Sequence, residues 1–296
     1  MTLRSIAIVG FGEVGQALAA ELKHAPDVAA LSAFDLKFAD PGSSLAKAAS
    51  DADVRLATSA AEAARGADLV ICAVTAAETV KAAAAIAAER MAGQWVLDVN
   101  SASPQAKIEA GAIIAAAGGR YVEAAVMSPI EPKRLASPIL LGGAHADAAL
   151  PGLAALGFTG ARVYAQTLGK AAAAKLSRSV VVKGIEALVS ESLLTARFYG
   201  VEGEVLSSLS NLFPRPDWDD YALYLMRRAL QHGVRRAEEM REAARTVAGA
   251  GLEPLMSEAA AARQDWMAGF KALSAGDDLR TTIDALRLRI EEDPHG

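Results

Sequence analysis

The amino-acid sequence predicts an α/β protein of two domains: a doubly wound, mostly parallel sheet over residues 1–165, then an all-helical domain over 166–296. Three observations carry this prediction. Up to about residue 165, short β-rich runs alternate with helix-like segments. Beyond residue 167 the strand signals stop and apolar residues recur at helical spacing. At 296 residues the chain exceeds the usual size of one domain, and each part is long enough to bury its own core.

The first predicted strand, 5–9, runs into Gly10-Phe11-Gly12-Glu13-Val14-Gly15 and then into an amphipathic helix. This Gly-x-Gly-x-x-Gly turn between strand and helix is the pattern of a Rossmann domain. Gly10 permits the tight turn, Gly12 lets the backbone approach a pyrophosphate, and Gly15 allows close packing of helix on strand. The helix N-terminus offers free N–H groups to phosphates, which draws Phe11, Glu13 and Val14 into the same site. The next strand, 29–34, ends in Asp35, about twenty residues past Gly15, where an acid that binds the adenosine ribose is expected. Asp35 favours NAD, because a carboxylate accepts from ribose hydroxyls and repels a 2′-phosphate. Lys37 is placed to neutralise such a phosphate, so NADP stays open.

Further strands are predicted at 68–74, 94–99, 120–125, 138–141 and 161–164, with helices at 76–91 and 103–117. Ser103 suits the N-cap of the second of these, Pro104 its first turn, and Gly118-Gly119 its end. Loops at the carboxyl ends of the strands then line one crevice. The helical half predicts helices at 170–199, 202–211, 217–248, 254–274 and 277–292, separated by glycines and by Phe213-Pro214-Arg215-Pro216.

Composition narrows the function. A net charge of -5, with no long block of either sign, argues against a nucleic-acid or anionic-membrane partner. No apolar stretch reaches the length that spans a bilayer. The first strand begins within five residues of the N-terminus, which leaves no room for a signal peptide, so a cytoplasmic protein is expected. The single cysteine, Cys72, lies in the apolar run from Leu69 to Val74 and reads as strand core. His24, His145, His232 and His295 are scattered, so no metal site is expected.

In the second half, Lys175, Ser179 and Lys183 recur in steps of four, which puts them on one slowly rotating stripe of a helix. A lysine surrounded by apolar groups loses solvation of its charged form and moves toward the range useful for proton transfer. The competing reading is a pair of lysines whose stems lie on apolar surface while their heads reach water.

The glycine fingerprint followed by this helix resembles the β-hydroxyacid dehydrogenases, a group that includes 3-hydroxyisobutyrate and 6-phosphogluconate dehydrogenases and is related to the imine reductases. The resemblance covers nearly the whole chain. Gly169, Lys175 and Ser179 fall on the first glycine, the catalytic lysine and the asparagine of the family's Gly-x-Gly-x-x-x-Lys-x-x-x-Asn motif, with Ala171 and Ser179 as departures. Asp98-Val99-Asn100-Ser101-Ala102-Ser103-Pro104 resembles the family's Asp-x-Ser-Thr-x-x-Pro element, and Glu123-Ala124-Ala125-Val126-Met127-Ser128-Pro129 loosely matches Asp-Ala-Pro-Val-Ser-Gly-Gly. Arg235 and Arg236 replace a Lys-Asp pair. Adjacent residues point to different faces of a helix, so Arg235 is taken as the one that meets the cleft and its neighbour is expected to pair with Glu239 at the surface.

The resemblance implies an NAD(P)-dependent oxidoreductase that moves hydride between nicotinamide and a small anionic 3-hydroxy acid, with decarboxylation of the product left open. It makes Lys175 the general acid/base, places Asn100, Ser101, Ser179, Lys183 and Arg235 at the substrate, and brings Thr75 and Asn100 to the cofactor. A homodimer through the helical domain is expected. An imine or enamine reductase, and a sensor that binds NAD(P) without turnover, remain as alternatives.

Overall fold

The computed structural model describes residues 3–40, 42–212, 217–276 and 278–292. In chain order the regular elements of the first half are β1 (Ser5–Val9), α1 (Glu13–Leu22), β2 (Ala30–Phe34), α2 (Ser44–Asp51), β3 (Arg55–Leu56), α3 (Ala60–Ala64), β4 (Leu69–Cys72), α4 (Thr79–Ile86), β5 (Trp95–Asp98), α5 (Pro104–Ala116), β6 (Arg120–Val126), β7 (Ile139–Gly142), α6 (Ala146–Ala155) and β8 (Ala161–Ala165). The second half holds α7 (Lys170–Tyr199), α8 (Glu202–Leu212), α9 (Trp218–Gly249), α10 (Leu255–Ala268) and α11 (Leu279–Glu292).

The strands form one sheet in the order β3-β2-β1-β4-β5-β6-β7-β8. Every pairing is parallel except β6 with β7. The order reverses direction at β1, so the loops after β1 and β4 flank the switch point where a doubly wound sheet opens a crevice. Alternation along β1 explains why helices cover both faces. Ile6 and Ile8 pack with Leu18 and Leu22 on one side, while Ala7 and Val9 pack with Val70, Ile86 and Ile114 on the other.

The predicted strands are present with ends shifted by a residue or two. The sequence reading missed β3, an exposed edge strand of only two residues, and the short helices α2, α3 and α6. The helix expected at 76–91 divides into a 3-10 turn at Ala76–Glu78 and α4, which stops at Ile86. Ser103 caps α5 by accepting from Ala106 N, with Pro104 as its first residue, and Gly118 follows with φ +92°. Cys72 is buried in β4, and burial together with the charge of Asp98 pushes its thiol up to about 12, which fits a core residue.

The chain forms two compact units, Met1–Leu176 and Ser177–Gly296. The second unit is helical, with a core that includes Leu193, Met226, Leu230, Met267, Ile283 and Leu286. Helices α9 and α10 approach closely at Gly233, where an added Cβ would collide with the carbonyl oxygen of Gln264. The expected Phe213-Pro214-Arg215-Pro216 separator and the predicted first residue of the last helix, 277, lie outside the described residues. Among the described residues no helix is long and apolar enough to cross a membrane.

Candidate functional site

The glycine turn is built by backbone crowding on one side and openness on the other. Gly10 has φ +95°, and a Cβ there would lie 2.4 Å from the carbonyl oxygen of Ala73. A Cβ on Gly15 would strike the carbonyl of Gly10, whereas one on Gly12 would meet nothing within 4 Å. Gly12 is also the N-cap of α1 and, having no side chain, gives the helix start no side-chain cap. Open space over a positive helix end suits a pyrophosphate.

Asp35, at the end of β2, ties this turn to the sheet. Its Oδ2 accepts from Phe11 N at 2.8 Å and its Oδ1 from Lys37 N at 2.9 Å. Each carboxylate oxygen has a second lone pair, so acceptance from a ribose hydroxyl remains open to it. Lys37 and Thr75 are exposed, Thr75 in the loop that follows β4. These residues fit a dinucleotide: an open glycine, an uncapped helix start and an acid at the end of the second strand.

Next to it lies a polar network that sequence reasoning missed. Asp98, the last residue of β5, is buried and paired with Lys107 Nζ at 2.7 Å, and Lys107 is itself only 1% exposed. Lys107 Nζ also donates to the carbonyl oxygen of Asp98 at 3.0 Å, Tyr121 Oη donates to Asp98 Oδ2 at 2.6 Å, and Asn100 N donates to Oδ1 at 2.9 Å. Burial and the Asp98 charge raise the Tyr121 phenol well above its ordinary value, so it stays a donor. The detectable signal was a lone lysine on an apolar face of a helix beginning six residues after a strand-end acid.

This network holds the loop that carries Asn100 and Ser101. Asn100 Nδ2 donates to Cys72 Sγ at 3.4 Å, while its Oδ1 is buried with no hydrogen-bond partner among the described residues. Lys175, half-buried in α7, donates from Nζ to Ser101 Oγ at 2.6 Å. The expected lysine and hydroxyl are therefore in direct contact, beside an unsatisfied acceptor.

In the helical unit, Lys183 Nζ pairs with Glu239 at 2.5 Å and donates to Ser179 Oγ at 3.2 Å. Lys183 is buried, so the reading of it as a lysine reaching into water fails. Burial lowers its pKa, and Glu239 opposes that shift. The expected pairing of Glu239 with the second arginine is corrected. Arg236 faces inward on α9 and pairs with Glu186, which also accepts from Gln264 Nε2 at 3.2 Å. Arg235 is exposed on α9, and its charge helps to depress Lys183.

Residues 5–166 match the NAD binding domain of 6-phosphogluconate dehydrogenase, and residues 196–267 match a domain of unknown function, DUF1932. No curated protein matches the chain. Among solved structures, a conserved hypothetical protein from Sinorhizobium meliloti 1021 is 36% identical, with 97% of each chain covered and a TM-score of 0.73. The 3-hydroxyisobutyrate dehydrogenase of Mycobacterium tuberculosis, solved with L-serine, is 21% identical over 97% of this chain and 100% of that one, with a TM-score of 0.70. A reductive aminase from Aspergillus terreus, in complex with NADPH and ethyl-5-oxohexanoate, is 19% identical with the same coverage and a TM-score of 0.58.

Proposed function

Since the chain belongs to the family of the 6-phosphogluconate dehydrogenase NAD binding domain and has the 3-hydroxyacid dehydrogenase fold, we propose that it oxidises and re-forms the alcohol of a small 3-hydroxy acid. The observation that carries this reading is the 2.6 Å contact between Lys175 Nζ and Ser101 Oγ beside the unsatisfied Asn100 Oδ1. When bound, the nicotinamide supplies the hydride donor or acceptor. The turn at Gly10, Gly12 and Gly15, with the N–H groups of Glu13 and Val14, holds its pyrophosphate, and Asp35 its adenosine ribose.

In oxidation Lys175 takes the proton from the substrate hydroxyl; in reduction it returns that proton to the forming alkoxide. Ser101 fixes the Nζ position, and Asn100 Oδ1 accepts from a donor on the substrate or cofactor. Ser179 and Lys183, in four-residue steps further along α7, orient the acid, with Arg235 as an additional cation. Glu239 already occupies Lys183, so a substrate carboxylate competes with it for Nζ. Asp35 makes NAD the favoured cofactor, with Lys37 as the residue that would accommodate NADP.

Absorbance of reduced nicotinamide, followed with NAD and NADP separately over 3-hydroxy acids, sugar acids, keto acids and imines, tests the reading. Lys175→Ala is expected to keep cofactor affinity and to lose about 10²–10⁴-fold in kcat. Equal turnover by the variant would overturn the assignment. Loss restricted to imine substrates would instead favour reductive amination. A second copy of the chain is the proposed partner, supported by Val181, Ile185 and Leu188, which leave an apolar stripe exposed on α7. Sedimentation of the wild type against Leu188→Glu reads that association.

A further inference from the structure

Glu123 lies inside β6 and is 0% exposed, in a strand whose residues from Tyr121 to Val126 are all buried. Among the described residues its carboxylate makes no ion pair. Its partners are main-chain groups: Gly169 N donates to Oε2 and Ala172 N donates to Oε1. A buried carboxylate without a cation is costly unless donors replace its hydration. Here the donors are two N–H groups at the start of α7, which lack acceptors within the helix, and the positive end of the helix dipole adds to them. The sheet thus caps α7, as Ser103 locally caps α5.

The space for this carboxylate is kept by a glycine on the neighbouring strand, and a second glycine sets the start of α7 close to α5. Gly142 stands opposite Glu123 in the antiparallel pairing, and a Cβ there would come within 2.9 Å of Oε2. Gly169 has φ +88°, and a Cβ there would lie 3.1 Å from Pro104 Cβ and 3.4 Å from Ile108 Cδ1. The start of α7 is therefore set against the start of α5, directly after the loop that carries Ser101. From Ala172 to Lys175 is less than one helical turn. Clamping the amides of residues 169 and 172 sets both the rotation and the axial position of the turn that bears Lys175.

We propose that Glu123 is the positioning residue of the candidate site, holding Lys175 Nζ on Ser101 Oγ by capping α7 from within the sheet. The inference rests on the reading of Lys175 as the proton-transfer group. Placement of a proton-transfer group within hydrogen-bond reach of its target is a condition of the chemistry, and a displacement of about 1 Å costs on the order of 10²-fold in rate.

The test compares Glu123→Gln and Glu123→Asp with the parent chain. Glu123→Gln presents an amide donor to one of the two N–H groups; Glu123→Asp keeps the charge and withdraws it by one methylene. Two readouts need no substrate: hydrogen exchange of peptides spanning 167–176, and the rate at which an amine-reactive ester labels Lys175, both by mass spectrometry. In Glu123→Gln, exchange at residues 169 and 172 is expected to rise about tenfold or more, with faster labelling of Lys175 and unchanged exchange in β1 and α1. On the substrate found by the screen, kcat is expected to fall about 10–100-fold with cofactor KM within about twofold, and Glu123→Asp to recover part of the loss.

Unchanged exchange and labelling would overturn the proposal whatever the activity. So would an exchange increase spread evenly over the sheet, or a parallel loss of cofactor affinity, since either marks a structural role. Should Glu123→Gln not fold, Glu123→Asp decides alone: parent-like labelling and kcat overturn the proposal, and an intermediate loss supports it. If Lys175→Ala turns over normally while Glu123→Gln still frees Lys175 to label, the proton-transfer reading fails and the capping geometry stands.

Discussion

The sheet unit buries Asp98 and the helical unit buries Glu186, each beside a cation, but the two acids are partnered differently. Asp98 is bonded by Lys107 from α5 and Tyr121 from β6, and the same network reaches main-chain atoms, the carbonyl oxygen of Asp98 and the amide of Asn100. Glu186 of α7 is bonded by Arg236 of α9 and Gln264 of α10, side chain to side chain. A network that grips backbone fixes the path of a loop; one that links side chains of three helices fixes how those helices pack. The difference teaches where a buried charge can serve a site and where it serves assembly of the fold.

The largest effects come from removing one cation and stranding its acid. Lys107→Met and Arg236→Met each leave a buried carboxylate without its counter-charge, and each is expected to lose ~3–5 kcal/mol in urea unfolding. Their functional effects should separate. In Lys107→Met the loop of Asn100 and Ser101 loosens, and turnover falls by more than the folded fraction explains. In Arg236→Met the cofactor affinity of the folded protein stays at the wild-type value. Equal loss of cofactor binding in both variants would break the comparison.

A smaller effect sharpens it. Tyr121→Phe removes one hydrogen bond to a charged acceptor but leaves Lys107 in place, so a loss of about 1.5–3 kcal/mol is expected, with the Asn100 amide still bonded to Asp98. Hydrogen exchange at residue 100 checks this: it should rise less than in Lys107→Met. A larger rise in Tyr121→Phe would mean that the phenol, rather than the ammonium, carries the loop.

The same contrast explains what could be read from the sequence. The β1 turn, Asp35, the caps of α5 and the full extent of α7 are local patterns, set by residues a few positions apart. The family resemblance assigned Lys175 and Ser101 to one substrate site, but their direct contact was not foreseen, since nothing local joins residues 74 positions apart. Glu239 was given to the wrong cation because helical spacing says which residues share a face and leaves open which neighbouring helix supplies the partner. Lys107 was visible only as a charge within an apolar run, and Glu123 only as the first residue of a loosely matched substrate-loop element. Their roles depend on parallel pairing of β5 with β6 and on where α7 begins.

The mildest case is an exposed counterpart of these buried acids. Glu62, in the first turn of α3, accepts from the hydroxyl and N–H of Thr58 and from Arg55, and these bonds lower its carboxyl from 4.5 to about 2. The folded value is below the unfolded one, so the stability it contributes is complete above about 4.5 and is lost as the pH falls toward about 2. The Tm of Glu62→Gln should therefore trail the parent above that window and converge with it at the acid end. Added salt should narrow the gap, because the Arg55 pair is exposed. The deficits of Lys107→Met and Arg236→Met should hold in the same salt series, since buried pairs are screened far less. A Glu62→Gln deficit as resistant to salt as theirs would mean that the edge at β3 and α3 is held as tightly as the interior.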